Sequence, residues 1–491
     1  MNTDYKYLRE LETLAPRLAQ GRHPYEYPLD TDVMNLLLKI KEKIRMEDDS
    51  EYEIFQSNED IKELWGKLIE KSIQCLRYYD KREPFKGNQN KRPLAYGLSN
   101  LKKYFDKYIG FENVMYGGVK YYRDHVIHVF RVWLLGMVIL LRNNGALLDQ
   151  IFIDKKCSVN KYEKISIWTL IALTHDLGYP LEKASQIIES TQDMLKAFVS
   201  NPILSMDLSF NGVQNSMNDF ILRLVSSKME LRNNNNGVRN KYVARLQPKY
   251  YFKFQKSLEH NKHGILSAII IYKLLLYFLE SDFSVNEDYL FDKEEIRQFY
   301  IRRDILRSIA SHTCSDVYQM NQFLFSYLLI ICDDAQSWGR KDISELYVDK
   351  DTKYRFDDIS IDIENGSWEI SDSYIVKNET DAKLVLSAFQ RQCINYVTIF
   401  RDGQDTIKRN FNFKWLMTLS IAGATNRITN YIVTFNAVKD EKIKVSIARD
   451  RRDALSNKNA IIKEFDEIFG YKNNVGDDNT IHECDFTRLA I

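Results

Sequence analysis

The chain has 491 residues, and its 69 Lys plus Arg against 68 Asp plus Glu leave a formal net charge of +1. This balance argues against a protein that binds nucleic acid through overall positive charge, and against an acidic tail. With 44% apolar and 28% charged residues, the chain can bury sizeable cores, which excludes global disorder. At roughly 150 residues per domain, the length predicts two or three domains.

The cysteines and the apolar stretches predict a cytoplasmic protein. Six cysteines are scattered without a CxxC pair, which argues against a disulfide framework and against a zinc ribbon. Arg131 and Lys273 interrupt the most apolar stretches. These stretches therefore indicate buried helices and not membrane spans, which need about 20 apolar residues. The amino terminus has no apolar signal core, so we expect no membrane partner.

Residues 1–110 predict an N-terminal helical region without evident chemistry. Leu11, Leu14 and Leu18 share one face of a helix, and a start signal at Asp30 precedes a second apolar face. The stretch 81–93 is rich in Gly, Pro and Asn and predicts a loop. The task of this region stays open.

Residues 111–340 contain most of the histidines. Of the eight in the chain, six lie between positions 125 and 312: His125, His128, His175, His260, His263 and His312. Long apolar helical segments alternate with polar connections, and the asparagine run 233–236 predicts a loop. His175 and Asp176 end an apolar helix in LIALTHDLGYP. Burying such a pair costs on the order of several kcal/mol, and a bound metal ion would compensate both groups.

The order of these residues resembles the H, HD, D signature of the HD-domain metal-dependent phosphohydrolases. The resemblance covers about residues 121–340 and depends on HVFRV, on HDLGYP and on a later Asp after an apolar helix. It implies an all-helical bundle in which one metal is held by His128, His175, Asp176 and Asp333. Binuclear members of the family add histidines between the HD doublet and the last Asp. His263 and His312 would then complete a second site that Asp176 bridges.

Two of the ligands have a neighbouring residue of the same type that could take their place. His128 matches the HxxRV form of the family, so His125 is expected behind the ligands or on the substrate side. Asp333 and Asp334 point about 100° apart on a helix, so they cannot both face one metal in the same way. The helix is apolar all round, and its periodicity does not decide between them. The family pattern of a small residue before the Asp favours Asp333, which follows Cys332.

The resemblance implies hydrolysis of a nucleotide phosphate, such as an NTP, a dNTP or a related small nucleotide, by metal-activated water. The cofactor would be one or two divalent ions, Mn²⁺, Fe²⁺, Mg²⁺ or Zn²⁺. Asp176 belongs to the catalytic set, and His125 or His260 is the candidate proton donor to the leaving oxygen. Candidate substrate-binding cations near the motifs are Arg123, Lys183 and Arg340.

Other activities stay open at this point. One is a phosphodiesterase that cleaves a cyclic nucleotide or an oligonucleotide. Another is a di-iron oxygenase, because the HD superfamily includes members with a similar set of His and Asp. A third is a nucleotide-binding regulatory module without turnover. A small nucleotide is the expected partner, since the neutral charge disfavours long nucleic acid, although a local basic channel would admit it.

Residues 341–491 predict a small C-terminal α+β region. Strands flank the turn dipeptide at 365–366, a helix follows at 382–400, and a second strand pair covers 431–436 and 442–448. This accessory domain is a natural place for subunit contacts, so a homo-oligomer is expected. The predicted fold class is mainly α: an HD-type helical bundle at 111–340, preceded by 1–110 and followed by the appended α+β region.

Overall fold

The computed structural model describes residues 2–19, 26–44, 58–79, 98–118, 125–154, 157–196, 213–232, 241–278, 288–317, 321–338, 354–364, 367–400, 412–422, 428–438, 443–449, 460–469 and 482–485. This part of the chain is mainly helical, with a sheet near the C-terminal end. The chain divides into two compact units. The first comprises Met1–Val317 and Phe323–Asp333, and the second comprises Tyr318–Gln322 and Asp334–Ile491. The N-terminal region and the histidine-bearing helices thus belong to the same unit.

In its described residues, the first unit consists of helices and one β-hairpin. The helices are α1 (Thr3–Ala19), α2 (Thr31–Lys43), α3 (Asn58–Tyr79), α4 (Leu98–Gly118), α5 (Val126–Gln150), α6 (Lys161–Thr174), α7 (Tyr179–Lys196), α8 (Val213–Ser226), α9 (Pro248–Glu259), α10 (His263–Phe278), α11 (Lys293–Ser311) and α12 (Phe325–Ala335). The last two residues of α12 are assigned to the second unit. The hairpin strands are β1 (Ser227–Arg232) and β2 (Lys241–Leu246).

Helices α5 and α6 lie at the centre of this unit. Every residue from Val126 to Leu141 is buried, and so is every residue of α6 from Glu163 onward. A helix surrounded by protein is apolar on all faces, which is why hydrophobic periodicity is weak in these segments. By length and composition α5 could cross a membrane, but 89% of its apolar stretch is buried inside the protein. This confirms the prediction of a buried helix.

The N-terminal helices pack around α5 and α6. In α1, the buried Asp4 carboxylate accepts three hydrogen bonds from the Arg131 guanidinium of α5, at 2.7, 2.9 and 3.2 Å. Trp65 of α3 stacks on Phe105 of α4, with ring centroids 3.9 Å apart. The Trp65 indole N–H also donates to the carbonyl of Leu173 in α6 at 2.9 Å. The region without evident chemistry is therefore part of the framework of the histidine-bearing helices.

The hairpin β1–β2 was not predicted from the sequence. Its strands pair in antiparallel register over all six residues of each strand. Met229 of β1 and Val243 of β2 are buried. In β1 the charged residues Lys228 and Glu230 stand on either side of Met229 and are less buried. Each strand contains so few apolar residues that the alternation of apolar and polar positions is too short to be recognised in the sequence. The asparagine run 233–236, which we predicted as a loop, lies outside the described residues.

The described part of the second unit contains a six-stranded sheet and two helices. Its elements are β3 (Tyr354–Glu364), β4 (Ser367–Val376), α13 (Glu379–Phe400), β5 (Asn412–Ala422), β6 (Ile428–Ala437), β7 (Lys444–Arg449), α14 (Ala460–Phe469) and β8 (His482–Asp485). The strands follow one another across the sheet in chain order. Neighbours are antiparallel except β4 and β5, which are parallel. Because parallel neighbours need a crossover connection, α13 lies between them in the chain.

Part of this arrangement agrees with the sequence prediction. The predicted first strand pair, helix and second strand pair correspond to β3–β4, α13 and β6–β7, and the turn 365–366 lies outside the described residues. The prediction missed β5, α14 and β8. In β5 the apolar residues Trp415, Leu416 and Met417 are consecutive, so the alternation that marks a half-buried strand is hidden.

Candidate metal centre

The start of α5 contributes two histidines. His125 immediately precedes the helix and His128 lies in its first turn, and both side chains are buried. Their ring centroids are 6.2 Å apart. His128 Nε2 lies 2.9 Å from Asp333 Oδ1, whereas the His125 ring packs against Tyr179 at 3.8 Å between centroids. The two neighbouring histidines therefore have different surroundings.

The end of α6 contributes His175 and Asp176, which are buried. Helix α6 ends at Thr174, and its terminal carbonyl groups need donors from outside the helix. Trp65 donates to the carbonyl of Leu173, and the Tyr104 hydroxyl donates to the carbonyl of Leu177 at 2.5 Å. Helices α3 and α4 thereby hold the turn that bears the His-Asp doublet.

Gly178 brings this turn against the start of α10. A Cβ atom at this position would lie 2.5 Å from the His263 carbonyl oxygen and 2.6 Å from the Ser267 nitrogen, which is too close for any side chain. The Gly178 N–H donates to Ser267 Oγ at 2.7 Å. The close approach places His263, the first residue of α10, beside Asp176.

Gly264 allows a similar close approach between the start of α10 and the end of α11. A Cβ atom on Gly264 would lie 2.5 Å from Thr313 Oγ1 and 3.1 Å from His312 Cε1. His312 directly follows the last residue of α11, and its ring centroid is 5.0 Å from that of His263. Two glycines thus allow three separate turns of the chain to meet.

Asp176 lies among four imidazoles. Its Oδ1 is 3.2 Å from His263 Nε2, 3.6 Å from His312 Nε2 and 3.6 Å from His175 Nε2. Its Oδ2 is 3.7 Å from His128 Nε2. Both oxygens of one buried carboxylate therefore face histidine nitrogens.

Asp333, near the C-terminal end of α12, closes the cluster. Its Oδ1 is 2.9 Å from His128 Nε2 and 3.8 Å from His175 Nε2. The adjacent Asp334 offers its backbone carbonyl to Gln392 within the second unit. Asp333 is therefore the member of the pair that contacts the histidines.

Three of the histidines are oriented by hydrogen bonds at Nδ1. This atom donates to the Ala172 carbonyl at 2.8 Å in His175 and to the Ile309 carbonyl at 2.5 Å in His312. In His263 the partner is a carboxylate oxygen of Glu182, at 2.6 Å. Because each acceptor is an oxygen without a proton, Nδ1 carries a hydrogen and Nε2 is the nitrogen directed into the cluster.

The cluster fits a divalent cation. His175 Nε2 and His312 Nε2 are buried and make no hydrogen bond within the described part of the chain. Buried polar atoms without partners are rare and are often explained by an ion. Two groups of ligand atoms each lie within 4.8 Å of one another: His128 with His175 and Asp333, and His175 with Asp176 and His312. Since a metal binds such atoms at about 2.0–2.2 Å, ligands of one ion are about 3 Å or slightly more apart.

The electrostatics agree with this fit. Burial alone would raise the pKa of Asp176, but His175, His263 and His312 outweigh it and hold that pKa well below its usual value. Burial would lower the pKa of His263, yet Asp176 and Glu182 raise it to about 9. The carboxylates are thus kept anionic, and a cation that binds would displace protons from the imidazoles.

The other predicted site residues fall into three groups. His125 and Lys183 adjoin the cluster through Tyr179, since the Lys183 ammonium lies 5.0 Å from that ring centroid. His260 is exposed at the C-terminal end of α9, and none of the described contacts among the cluster residues involves it. Arg123 and Arg340 lie outside the described residues.

Sequence reasoning missed several residues that shape the centre: Glu182, Tyr179, Ser267, Trp65 and Tyr104. Glu182 is an acid in the first turn of a helix, which is a common position for glutamate and so carries no signal of its own. The others are ordinary core or loop residue types. Only the fold brings them to the cluster.

Comparison of the chain with known protein families, with curated proteins and with solved structures found no match.

Proposed function

We propose that the chain is an HD-type, metal-dependent phosphohydrolase that acts on a phosphate of a small nucleotide. One observation carries the proposal: residues in the order H, HD, H, H, D converge on a single buried centre. These residues are His128, His175, Asp176, His263, His312 and Asp333. Their spread over five separate segments of the chain argues against an accidental cluster of neighbours.

The ligand atoms support two adjacent cation positions. We define the first position by His128, His175 and Asp333. We define the second position by Asp176 and His312 together with His263, whose Nε2 lies 3.2 Å from Asp176 Oδ1. Asp176 is suited to bridge them, because its Oδ2 faces His128 and its Oδ1 faces His263. Nitrogen and carboxylate ligands together suit Mn²⁺, Fe²⁺ or Zn²⁺. When bound, such ions lower the pKa of water and neutralise charge on a phosphoryl oxygen.

His125 is the better placed of the two candidate proton donors. It is buried beside His128, and its ring packs on Tyr179, whereas His260 is exposed. In the proposed reaction, a His125 ring nitrogen delivers a proton to the oxygen that leaves phosphorus. The oxygen of the attacking water forms the new P–O bond and releases a proton to solvent. The leaving oxygen takes the electron pair of the broken P–O bond together with the proton from His125.

Lys183 is the described cation best placed to hold a phosphate. Its ammonium lies over Tyr179 and donates to Gln186 at 2.9 Å. Burial lowers the pKa of Lys183, and the nearby Glu182 carboxylate opposes that effect. A half-buried ammonium beside the cluster gains from an anionic ligand, because a phosphate oxygen would replace the water lost on burial.

Product analysis by mass spectrometry tests the proposal. The full chain is incubated with Mn²⁺ and a panel of NTPs, dNTPs, cyclic nucleotides and short oligonucleotides. A variant carrying His175→Ala and Asp176→Ala serves as the inactive form, and Asp334→Asn is the matched control. We expect the wild type and the control to hydrolyse one small-nucleotide class and the double variant to hydrolyse none.

The other outcomes identify the alternatives. Cleavage of only cyclic nucleotides or oligonucleotides would replace the proposal with a phosphodiesterase. Full occupancy by iron without hydrolysis would favour an oxygenase. Nucleotide binding without any product would favour a regulatory module.

A further inference from the structure

We infer that Glu182 is a positioning residue that equips the second cation position, acting through His263. The inference rests on the proposed function, since it concerns the same centre. It assigns a role to a side chain that the H, HD, D pattern does not contain. It also predicts that the two cation positions differ in affinity.

The contact between Glu182 and His263 is double. One carboxylate oxygen, Oε2, accepts the Nδ1–H of the imidazole at 2.6 Å and the backbone N–H of the same residue at 2.8 Å. Glu182 is 8% exposed, so water competes little for this oxygen. Two bonds to one residue fix both the ring and the main chain that carries it. His263 Nε2 is thereby directed at Asp176 Oδ1, 3.2 Å away.

The helix that carries His263 makes this carboxylate necessary. His263 is the first residue of α10, and the N-terminal end of a helix carries about half a positive charge. That charge would disfavour a cation beside His263. Glu182 accepts one of the unpaired N–H groups of this end and brings a full negative charge to it. It therefore offsets the helix end at the place where the second position needs a ligand.

The three oriented histidines show the asymmetry directly. His175 and His312 donate Nδ1–H to neutral backbone carbonyls, whereas His263 donates to a carboxylate. A carboxylate partner makes the opposite nitrogen a stronger metal ligand than a carbonyl does. Among these three histidines, His263 of the second position is the one with such a partner.

The alternative is that Glu182 serves an ion pair with Lys262. The Lys262 ammonium lies 3.7 Å from Oε1, and the lysine side chain is 45% exposed. An ion pair at that distance whose lysine is exposed to water contributes little. The shorter bonds of Glu182 go to His263, and they are the ones that bear on the cluster.

Titration of Mn²⁺ into the metal-free full-length protein by calorimetry tests the inference, with metal counted by mass spectrometry after dialysis. We expect two equivalents in the wild type. In Glu182→Ala the second equivalent should weaken about 10- to 100-fold, and the first should change little. Glu182→Gln keeps a hydrogen-bond acceptor but loses the charge, so its affinity for the second equivalent should lie between those of the wild type and Glu182→Ala. This variant also provides the test if Glu182→Ala does not fold.

Glu295→Gln is the matched control. Glu295 is also 8% exposed, and it also accepts a backbone N–H, that of Asp292 at 2.8 Å, beside the start of α11. Its replacement should leave both equivalents unchanged. Electron paramagnetic resonance gives a second measurement, because two adjacent Mn²⁺ ions produce a coupled signal. We expect that signal in the wild type and the Glu295 variant, and its loss in Glu182→Ala at limiting Mn²⁺.

Several results would overturn the inference. Two equivalents of unchanged affinity in both Glu182 variants would do so, and so would an equal loss of both equivalents. A wild type that binds one Mn²⁺ would remove the second position while leaving the proposed function intact. A wild type that binds none would overturn the proposed function as well.

Discussion

His128 Nε2 lies 2.9 Å from Asp333 Oδ1, although 205 positions separate the two residues in the chain. The same oxygen is 3.8 Å from His175 Nε2. A single carboxylate oxygen thus joins the start of α5, the end of α6 and the end of α12. Changes at this junction and in its supports have consequences that can be measured.

Replacement of Asp333 by Asn should empty the first position. The amide keeps the shape of the side chain but removes the charge that pairs with His128 and would bind a cation. We expect Mn²⁺ affinity to fall at least about tenfold, since even indirect changes around a metal cost that much. Metal content after equilibrium dialysis is the measurement. Asp334→Asn is the control, and equal metal content in the two variants would contradict the prediction.

Replacement of Gly178 by Ala should destabilise the protein. The new Cβ would lie 2.5 Å from the His263 carbonyl oxygen, so the turn after Asp176 and the start of α10 would have to separate. Such overpacking costs roughly 1–3 kcal/mol of the free energy of unfolding, measured by urea denaturation. A Cβ atom on Gly110 in α4 would meet no other atom within 4 Å, so Gly110→Ala should instead stabilise its helix by about 0.5–1 kcal/mol. An unchanged free energy of unfolding in Gly178→Ala would contradict the prediction, because it would show that the turn can move enough to accommodate the new Cβ atom.

Removal of the Tyr104 hydroxyl should weaken metal binding as well as stability. Tyr104→Phe deletes the donor to the Leu177 carbonyl, one residue after Asp176. The matched change, Tyr27→Phe, deletes a hydroxyl that donates to the Ala15 carbonyl at 3.1 Å. Each should cost about 0.5–1.5 kcal/mol of unfolding free energy. Only the Tyr104 variant should lose Mn²⁺ affinity, by roughly tenfold, and a similar loss in both would refute a specific role for this contact.

Asp372 should make the second unit less stable as pH rises. Burial raises the pKa of this β4 carboxyl to about 7, and hydrogen bonds from Trp415 and Tyr374 offset only part of the rise. The Trp415 indole N–H donates to Asp372 Oδ1 at 3.0 Å. Between about pH 4 and pH 7 the folded state keeps a proton that the unfolded state has lost. The stabilisation is therefore complete below this window and is lost as pH rises through it.

Asp372→Asn tests this pH dependence, because the amide resembles the protonated carboxyl. Thermal unfolding of the full chain should give similar midpoints for both proteins near pH 4. Near pH 8 the variant should be the more stable, by on the order of a few kcal/mol. Parallel curves across this range would show that Asp372 does not titrate as expected.

The amino-acid sequence by itself determined the local features of this protein. It predicted the mainly helical character, the buried apolar helix at α5 and most of the C-terminal elements, because residue type and periodicity act over a few neighbouring positions. It also favoured Asp333 over Asp334 as a metal ligand, but only through a family resemblance. An apolar helix has no polar face that would show which of the two side chains points toward the site. The scarcity of histidine made the candidate set small enough to name.

Only the tertiary structure decided which of these residues meet and what supports them. The contact of His128 with Asp333, the double hydrogen bond from His263 to Glu182, and the donation from Tyr104 to the HD turn all join distant segments. Such distances follow from how whole helices pack, and Gly178 and Gly264 set them by allowing backbones to approach. No local pattern records them, because the energy that selects them comes from burial and pairing between elements far apart in the chain.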